Sequence, residues 1–197
     1  MKKEKILREG VLKLPIYKTE DFTPKIKEKG AVKLDLNENF WVEEKFIKNL
    51  LASASKKLDL RFYPPPRGML AVQAISNFYR IDEEAVIVGN GSDEILDLIA
   101  KTFVKSKAKV LTVEPTFPLY EFFVELYGGS KVQVFLEPNF ELNMEKILEW
   151  NGKAPLLILC SPNNPTGNQF PKEDVKALLE GFKGLIIVDE AHAEFAK

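Results

Sequence analysis

Four short strings hold the residues whose types and spacing can do chemistry. The first is Gly89-Asn90-Gly91-Ser92-Asp93-Glu94. Two glycines there make a tight turn ahead of a helix, with Ser92 or Asp93 placed to cap it. The free N–H groups of a helix start, with the dipole behind them, make an anion site, and glycine lets the backbone approach a phosphate closely. A capped helix after a glycine turn explains the same residues without a ligand. The second string is Glu114-Pro115-Thr116-Phe117-Pro118. Its prolines fix the backbone and so the ring of Phe117, which can stack on a flat cofactor or pack in the core. The third, Pro162-Asn163-Asn164-Pro165-Thr166-Gly167, locks two asparagines between two prolines. Such amides can donate to a phenolate-type oxygen or cap the neighbouring turn. A plain Asn-Pro turn accounts for any two of these residues but poorly for all six. The fourth is Asp189, which follows an apolar run over 185–188. A carboxylate there needs a partner. A protonated ring nitrogen is one, because the negative charge keeps that proton on and makes the ring a better electron sink. A helix cap or a metal ligand are the others. Asp189, Glu190 and His192, the only histidine, have no further cluster to complete a metal site.

The elements that must position these strings follow from periodicity. From residue 85 onward, short apolar runs alternate with helical stretches. Strands are expected at 85–88, 110–113, 131–135, 156–160 and 185–188, and helices near 93–103, 118–127, 144–150 and 172–180. That alternation means crossover connections: an α/β fold with a mainly parallel sheet covered on both faces. In such sheets ligands bind outside the carboxyl ends of the strands, where all four strings fall. Before residue 85, helices are expected over 42–57 and 69–79. The prolines of Tyr63-Pro64-Pro65-Pro66 keep that stretch extended. Residues 1–40 read as an irregular N-terminal arm, broken by Pro15, Pro24 and Gly30.

Composition excludes several classes. The 197 residues carry 28 basic and 29 acidic side chains, a net charge of −1, so no bulk field draws nucleic acid or an anionic membrane surface. No stretch approaches the ~20 apolar residues of a membrane span. The charged N-terminus has no apolar run after it, which argues against a signal peptide. A single cysteine, Cys160, leaves no internal disulfide and fits a reducing cytoplasm. At the end of an apolar run it reads as a buried structural thiol.

In order, Leu36-Asn37-Glu38-Asn39, Arg61-Phe62-Tyr63-Pro64 and the four strings above resemble the fold-type I pyridoxal-phosphate aminotransferases, most closely the histidinol-phosphate aminotransferase branch. The resemblance runs from about Tyr17 onward. It implies the three-layer large domain of that family over 81–197, with 41–80 a helical segment contributing to the small domain and dimer interface. It implies pyridoxal 5′-phosphate as cofactor. The backbone of Gly91, Ser92 and Asp93 would hold the phosphate, Phe117 would stack on the ring, Asn164 would bond the ring 3-oxygen, and Asp189 would pair with the ring nitrogen. Tyr63 would reach across a homodimer to the neighbour's cofactor. Asn39 and Tyr17 would contact an amino-acid substrate, with histidinol phosphate and 2-oxoglutarate as the exchanging pair.

Two departures go with the resemblance. Where the family usually has a tyrosine, this chain has His192, whose imidazole can donate the same bond to the 3-oxygen. A histidine there also occurs in the branch that condenses amino acids with acyl thioesters. The family's Schiff-base lysine lies beyond the next strand, and Lys197 is too close to Asp189 to be that residue. On this reading the large domain is truncated, no catalytic residue is assigned, and the chain alone is expected to be inactive. It would be a fragment, or a subunit completed by a second polypeptide. A threonine-phosphate decarboxylase or a small-amino-acid aminotransferase stays open beside the histidinol-phosphate reading.

Overall fold

The computed structural model describes residues 11, 14, 32, 34, 36–59 and 61–196. Tyr17 and Lys197 lie outside the described residues, as does most of the expected arm over 1–40. Two compact units divide the chain between Val88 and Gly89.

The second unit in sequence carries the sheet. Its strands are β1 (Lys109–Glu114), β2 (Ser130–Phe135), β3 (Leu156–Cys160) and β4 (Leu185–Asp189), all parallel, in the order β2-β1-β3-β4. They sit where the apolar runs predict. β3 is buried along its whole length, which is why its sequence is a continuous Leu-Leu-Ile-Leu-Cys rather than an alternation. Its side chains still divide by parity. Leu156, Ile158 and Cys160 pack on one face with Val110, Tyr120 and Val124, while Leu157 and Leu159 pack on the other with Leu111, Ile147 and Leu178. One face is covered by α3 (Ser92–Phe103) and α4 (Leu119–Leu126), the other by α5 (Met144–Leu148) and α6 (Lys172–Gly181). This is the expected three-layer arrangement.

The strand order sets the place of the site. From β1 the chain moves outward to β2 through α4. It then crosses back to β3 and on to β4 through α5 and α6 on the opposite face. The direction of winding therefore reverses between β1 and β3, and a crevice opens above their carboxyl ends. The first turn of α3 faces the same edge. Its far end does not: Val104 lies against Gly129 at the start of β2, where an added Cβ would stand 2.6 Å from Val104 Cγ1.

The other unit contains α1 (Glu44–Ser55) and α2 (Met69–Tyr79), with 3-10 turns at Pro66–Gly68 and Glu83–Ala85. Its small core is built on Val72, Ser76 and Val86. Ser76 Oγ donates to the Ile81 carbonyl at 2.5 Å, and Arg67 pairs with Glu84 at 3.1 Å. The expected strand at 85–88 does not form. Asp82 caps the 3-10 turn by accepting from the Glu84 N–H at 2.9 Å, which uses Ala85 in the turn. Residues 86–88 then run without a ladder partner among the described residues, and Ile87 is 71% exposed. An apolar run is a strand only when a neighbour pairs with it.

Candidate active site

At the carboxyl edge, α3 begins at Gly91, with φ +83° and no atom within 4 Å of the position a Cβ would take. That backbone angle favours glycine. The preceding Gly89 is there for space, since its Cβ would meet Ile95 Cδ1 at 2.8 Å. The expectation that Ser92 or Asp93 caps this helix is not met. Gly91 is the N-cap, and no side chain bonds the helix start. Instead Glu94, in the first helical turn, reaches back to accept from the Asn90 N–H and pins the glycine turn. The free amides of Ser92 and Asp93 therefore keep their donor capacity, as an anion site requires.

Across the crevice, the loop after β1 carries Phe117, half-buried, with its ring edge-to-face on Tyr120 at a centroid distance of 5.6 Å. Tyr120 is 1% exposed, and its hydroxyl donates to Asp189 Oδ2 at 2.7 Å. Burial, with Cys160 and the Asp189 charge beside it, pushes that hydroxyl well above the ordinary tyrosine range, so it stays protonated as a donor. The other Asp189 oxygen, Oδ1, accepts from the Ala191 N–H at 3.0 Å. Among the described residues Asp189 has no ion-pair partner. A half-buried carboxylate oriented by two donors and lacking a counter-charge suits a protonated ring nitrogen. Sequence reasoning missed Tyr120. The 69 residues separating it from Asp189 gave no signal.

The loop after β3 separates its two asparagines. Asn163, 2% exposed, is structural: its Nδ2 donates to the Pro115 carbonyl at 2.9 Å and to Thr166 Oγ1 at 2.7 Å, and its Oδ1 accepts from Thr116 Oγ1 at 3.0 Å. Asn164 is half-buried, and its side-chain amide makes no hydrogen bond with another described residue. Of the two readings kept open from the sequence, turn-capping falls to Asn163, and a donor free for a ligand remains at Asn164. Ser161 N donates to the Asp189 carbonyl at 2.9 Å, tying this loop to the end of β4. The Glu114–Pro115, Ser161–Pro162 and Asn164–Pro165 peptides are cis.

Cys160 is buried, as expected, with its Sγ 3.3 Å from the Pro162 carbonyl, and burial pushes its thiol upward. His192 is half-buried just past β4. Among the described residues no group of three His, Cys, Asp or Glu can hold a metal ion. In the other unit, Tyr63 is 99% exposed, and Asn39 Oδ1 accepts from the Trp41 N–H at 3.0 Å. No helix among the described residues is long and apolar enough to cross a membrane.

An uncapped helix start, a held aromatic ring, an uncommitted amide and a carboxylate without a cation stand in the loops at the carboxyl edge of one sheet, which has a topological switch point. The donor set they present fits pyridoxal phosphate: free amides for a phosphate, an aromatic face for a ring, an amide for a ring oxygen and a carboxylate for a ring nitrogen. Comparison with known proteins agrees. Residues 31–197 match the family model for aminotransferase class I and II. The chain belongs to the class I and II aminotransferases, whose members use pyridoxal phosphate. Among curated relatives, it is 38% identical over 171 residues to the histidinol-phosphate aminotransferase of Clostridium novyi, covering 85% of this chain and 48% of that protein. It is 34% identical over 176 residues to the enzyme of that name from Methanocaldococcus jannaschii, covering 87% and 47%. The solved histidinol-phosphate aminotransferase of Sinorhizobium meliloti, in complex with pyridoxal-5′-phosphate, superposes with a TM-score of 0.68 at 29% identity, over 75% of this chain and 41% of that one. The chain spans about half the length of the curated relatives it matches.

Proposed function

We propose that this chain supplies the cofactor-binding crevice of a pyridoxal-phosphate-dependent transaminase that exchanges an amino group between histidinol phosphate and 2-oxoglutarate. The substrate assignment is supported by the histidinol-phosphate aminotransferases that the chain resembles over most of its length. The cofactor assignment rests on one observation above the others: Asp189, held by the buried Tyr120 hydroxyl at the end of β4, has no counter-charge among the described residues.

When bound, the cofactor supplies an electron-poor ring that takes up the electron pair left when a substrate bond to carbon breaks. The residues of this chain bind and orient. The amides of Gly91, Ser92 and Asp93 hold the phosphate. Phe117 lies on the ring face. Asn164 and His192 donate to the ring 3-oxygen. Asp189 keeps the proton on the ring nitrogen. Asn39 and Tyr17 contact the amino-acid substrate, and Tyr63, fully exposed here, serves the neighbouring cofactor in a homodimer. A buried single thiol is compatible with a cytoplasmic setting.

The test is an absorbance titration of the purified chain with pyridoxal phosphate. Saturable binding that is lost in Asp189→Ala but kept in a surface control, Glu173→Ala, supports the proposal. Wild-type chain that fails to bind, or Asp189→Ala that binds equally well, overturns it. In the cofactor-loaded protein, spectral changes with histidinol phosphate and with glutamate, the amine partner of 2-oxoglutarate, and none with unrelated amino acids, test the substrate.

A further inference from the structure

A second polar network lies beneath the crevice and makes none of the contacts proposed above. Glu114 ends β1 with its side chain 12% exposed. Its Oε1 accepts from Thr112 Oγ1 at 3.0 Å and lies 3.1 Å from Lys131 Nζ. Its Oε2 accepts from the Thr116 N–H at 3.2 Å. Lys131 begins at the opposite end of the ladder, paired with Val110. Its side chain runs along the sheet, 9% exposed, and also meets Glu121 Oε2 of α4 at 2.9 Å. A long cationic stem buried along the sheet toward one carboxylate is costly unless its partners hold it firmly. Here they hold the residue just before Phe117. Thr116 is fixed by Glu114 through its N–H and by Asn163 through its hydroxyl, and Asn163 also bonds the Pro115 carbonyl. Both backbone units leading into Phe117 are thus tied down, one to β1 and one to the loop after β3.

We propose that Glu114, with its ion-pair partner Lys131, is a positioning residue that sets the ring of Phe117 over the cofactor. This rests on the cofactor reading above. Glu114 touches no ligand; it acts through Thr116. Replacing it with glutamine keeps the size but removes the charge and leaves one acceptor oxygen to serve the Thr116 N–H on one side and Lys131 and the Thr112 hydroxyl on the other, so the network that holds Thr116 is broken. The ring then loses its fixed seat, while the phosphate site at Gly91–Asp93, built on a different loop, is untouched.

The experiment compares four chains: wild type, Glu114→Gln, Phe117→Ala and the double variant. Each is titrated with pyridoxal phosphate, with the visible circular dichroism of the bound cofactor recorded. Glu114→Gln is expected to weaken binding about tenfold, the scale of one lost hydrogen bond to a charged group, and to diminish the dichroic band per bound cofactor. In the Phe117→Ala background the same change is expected to cost less than about twofold, because the ring it positions is gone. Unaltered binding in Glu114→Gln, or an equal loss with and without Phe117, overturns the proposal; the latter marks a purely structural ion pair. Lys131→Met removes the ion-pair partner of Glu114 and serves if Glu114→Gln does not fold. A Phe117-dependent loss is expected there too, and its absence counts against the proposal. Wild-type chain that binds no pyridoxal phosphate refutes the cofactor reading itself, a separate outcome.

Discussion

The hydroxyl of Tyr120 lies 2.7 Å from Asp189 Oδ2 while the edge of the same tyrosine meets the ring of Phe117. One fully buried side chain thus braces both a carboxylate and an aromatic ring across the crevice. Tyr120→Phe keeps the packing and removes the donor. Loss of a hydrogen bond to a charged group costs about 1.5–3 kcal/mol, which a fall in the urea midpoint will register. Weaker pyridoxal-phosphate binding is expected alongside, since Asp189 is then held by the Ala191 amide alone.

The neighbouring asparagines should respond in opposite ways. Asn163→Ala strands the Thr116 hydroxyl and the Pro115 carbonyl and should destabilise the chain by about 1–3 kcal/mol. Asn164→Ala removes an amide with no bond to another described residue. It should change stability by less than about 0.5 kcal/mol yet weaken cofactor binding. Paired denaturation and titration curves separate the two, and unchanged binding in Asn164→Ala would remove that residue from the site.

Gly91 and Gly152 offer a matched pair. Both have positive φ, +83° and +71°, with open space where a Cβ would go. Alanine at either should cost about 1 kcal/mol of backbone strain. Gly152 precedes β3 at the opposite edge of the sheet, so only Gly91→Ala should also lower cofactor affinity.

Stability should fall on the alkaline side. Burial raises the Cys160 thiol and the Tyr120 hydroxyl. Burial pulls Lys131 down, but its bonds to Glu121 and Glu114 outweigh that and hold it above the ordinary lysine range. All three folded-state values lie above the unfolded ones. The unfolded chain therefore releases these protons first, and their stabilisation, complete at low pH, is lost as pH rises. The loss should begin near the unfolded cysteine value of about 8.5 and steepen past about 10, where tyrosine and lysine follow. Cys160→Ala should remove the earliest part. A urea midpoint that is flat from pH 7 to 10.5 would contradict the assignment.

The strands of the sheet were legible because their apolar runs are short, bounded by turns and, in β1 and β3, buried on both faces, a pattern no amphipathic helix shares. The helix over Met69–Tyr79 was legible to the residue. The failures share one cause. The run at 85–88 looked like the others, but pairing depends on a neighbour that composition does not reveal. Ser92 and Asp93 looked like caps, but Glu94 supplied the only side-chain bond there, and to Asn90. Tyr120, Glu114 and Lys131 matter through partners far away in sequence or on another strand. Local spacing locates loops that meet a ligand; it does not say which side chains hold those loops still.

β4 pairs with β3 alone among the described residues, although Asp189 stands at its end. Every second amide along it therefore faces away from the ladder. In hydrogen exchange such a strand opens well before the fully enclosed β3, so the carboxylate sits on a part of the sheet that can breathe while its neighbour stays shut. Whatever covers that flank sets how long Asp189 keeps its orientation. The persistence of the site is then decided by the outer side of an edge strand as much as by the crevice itself.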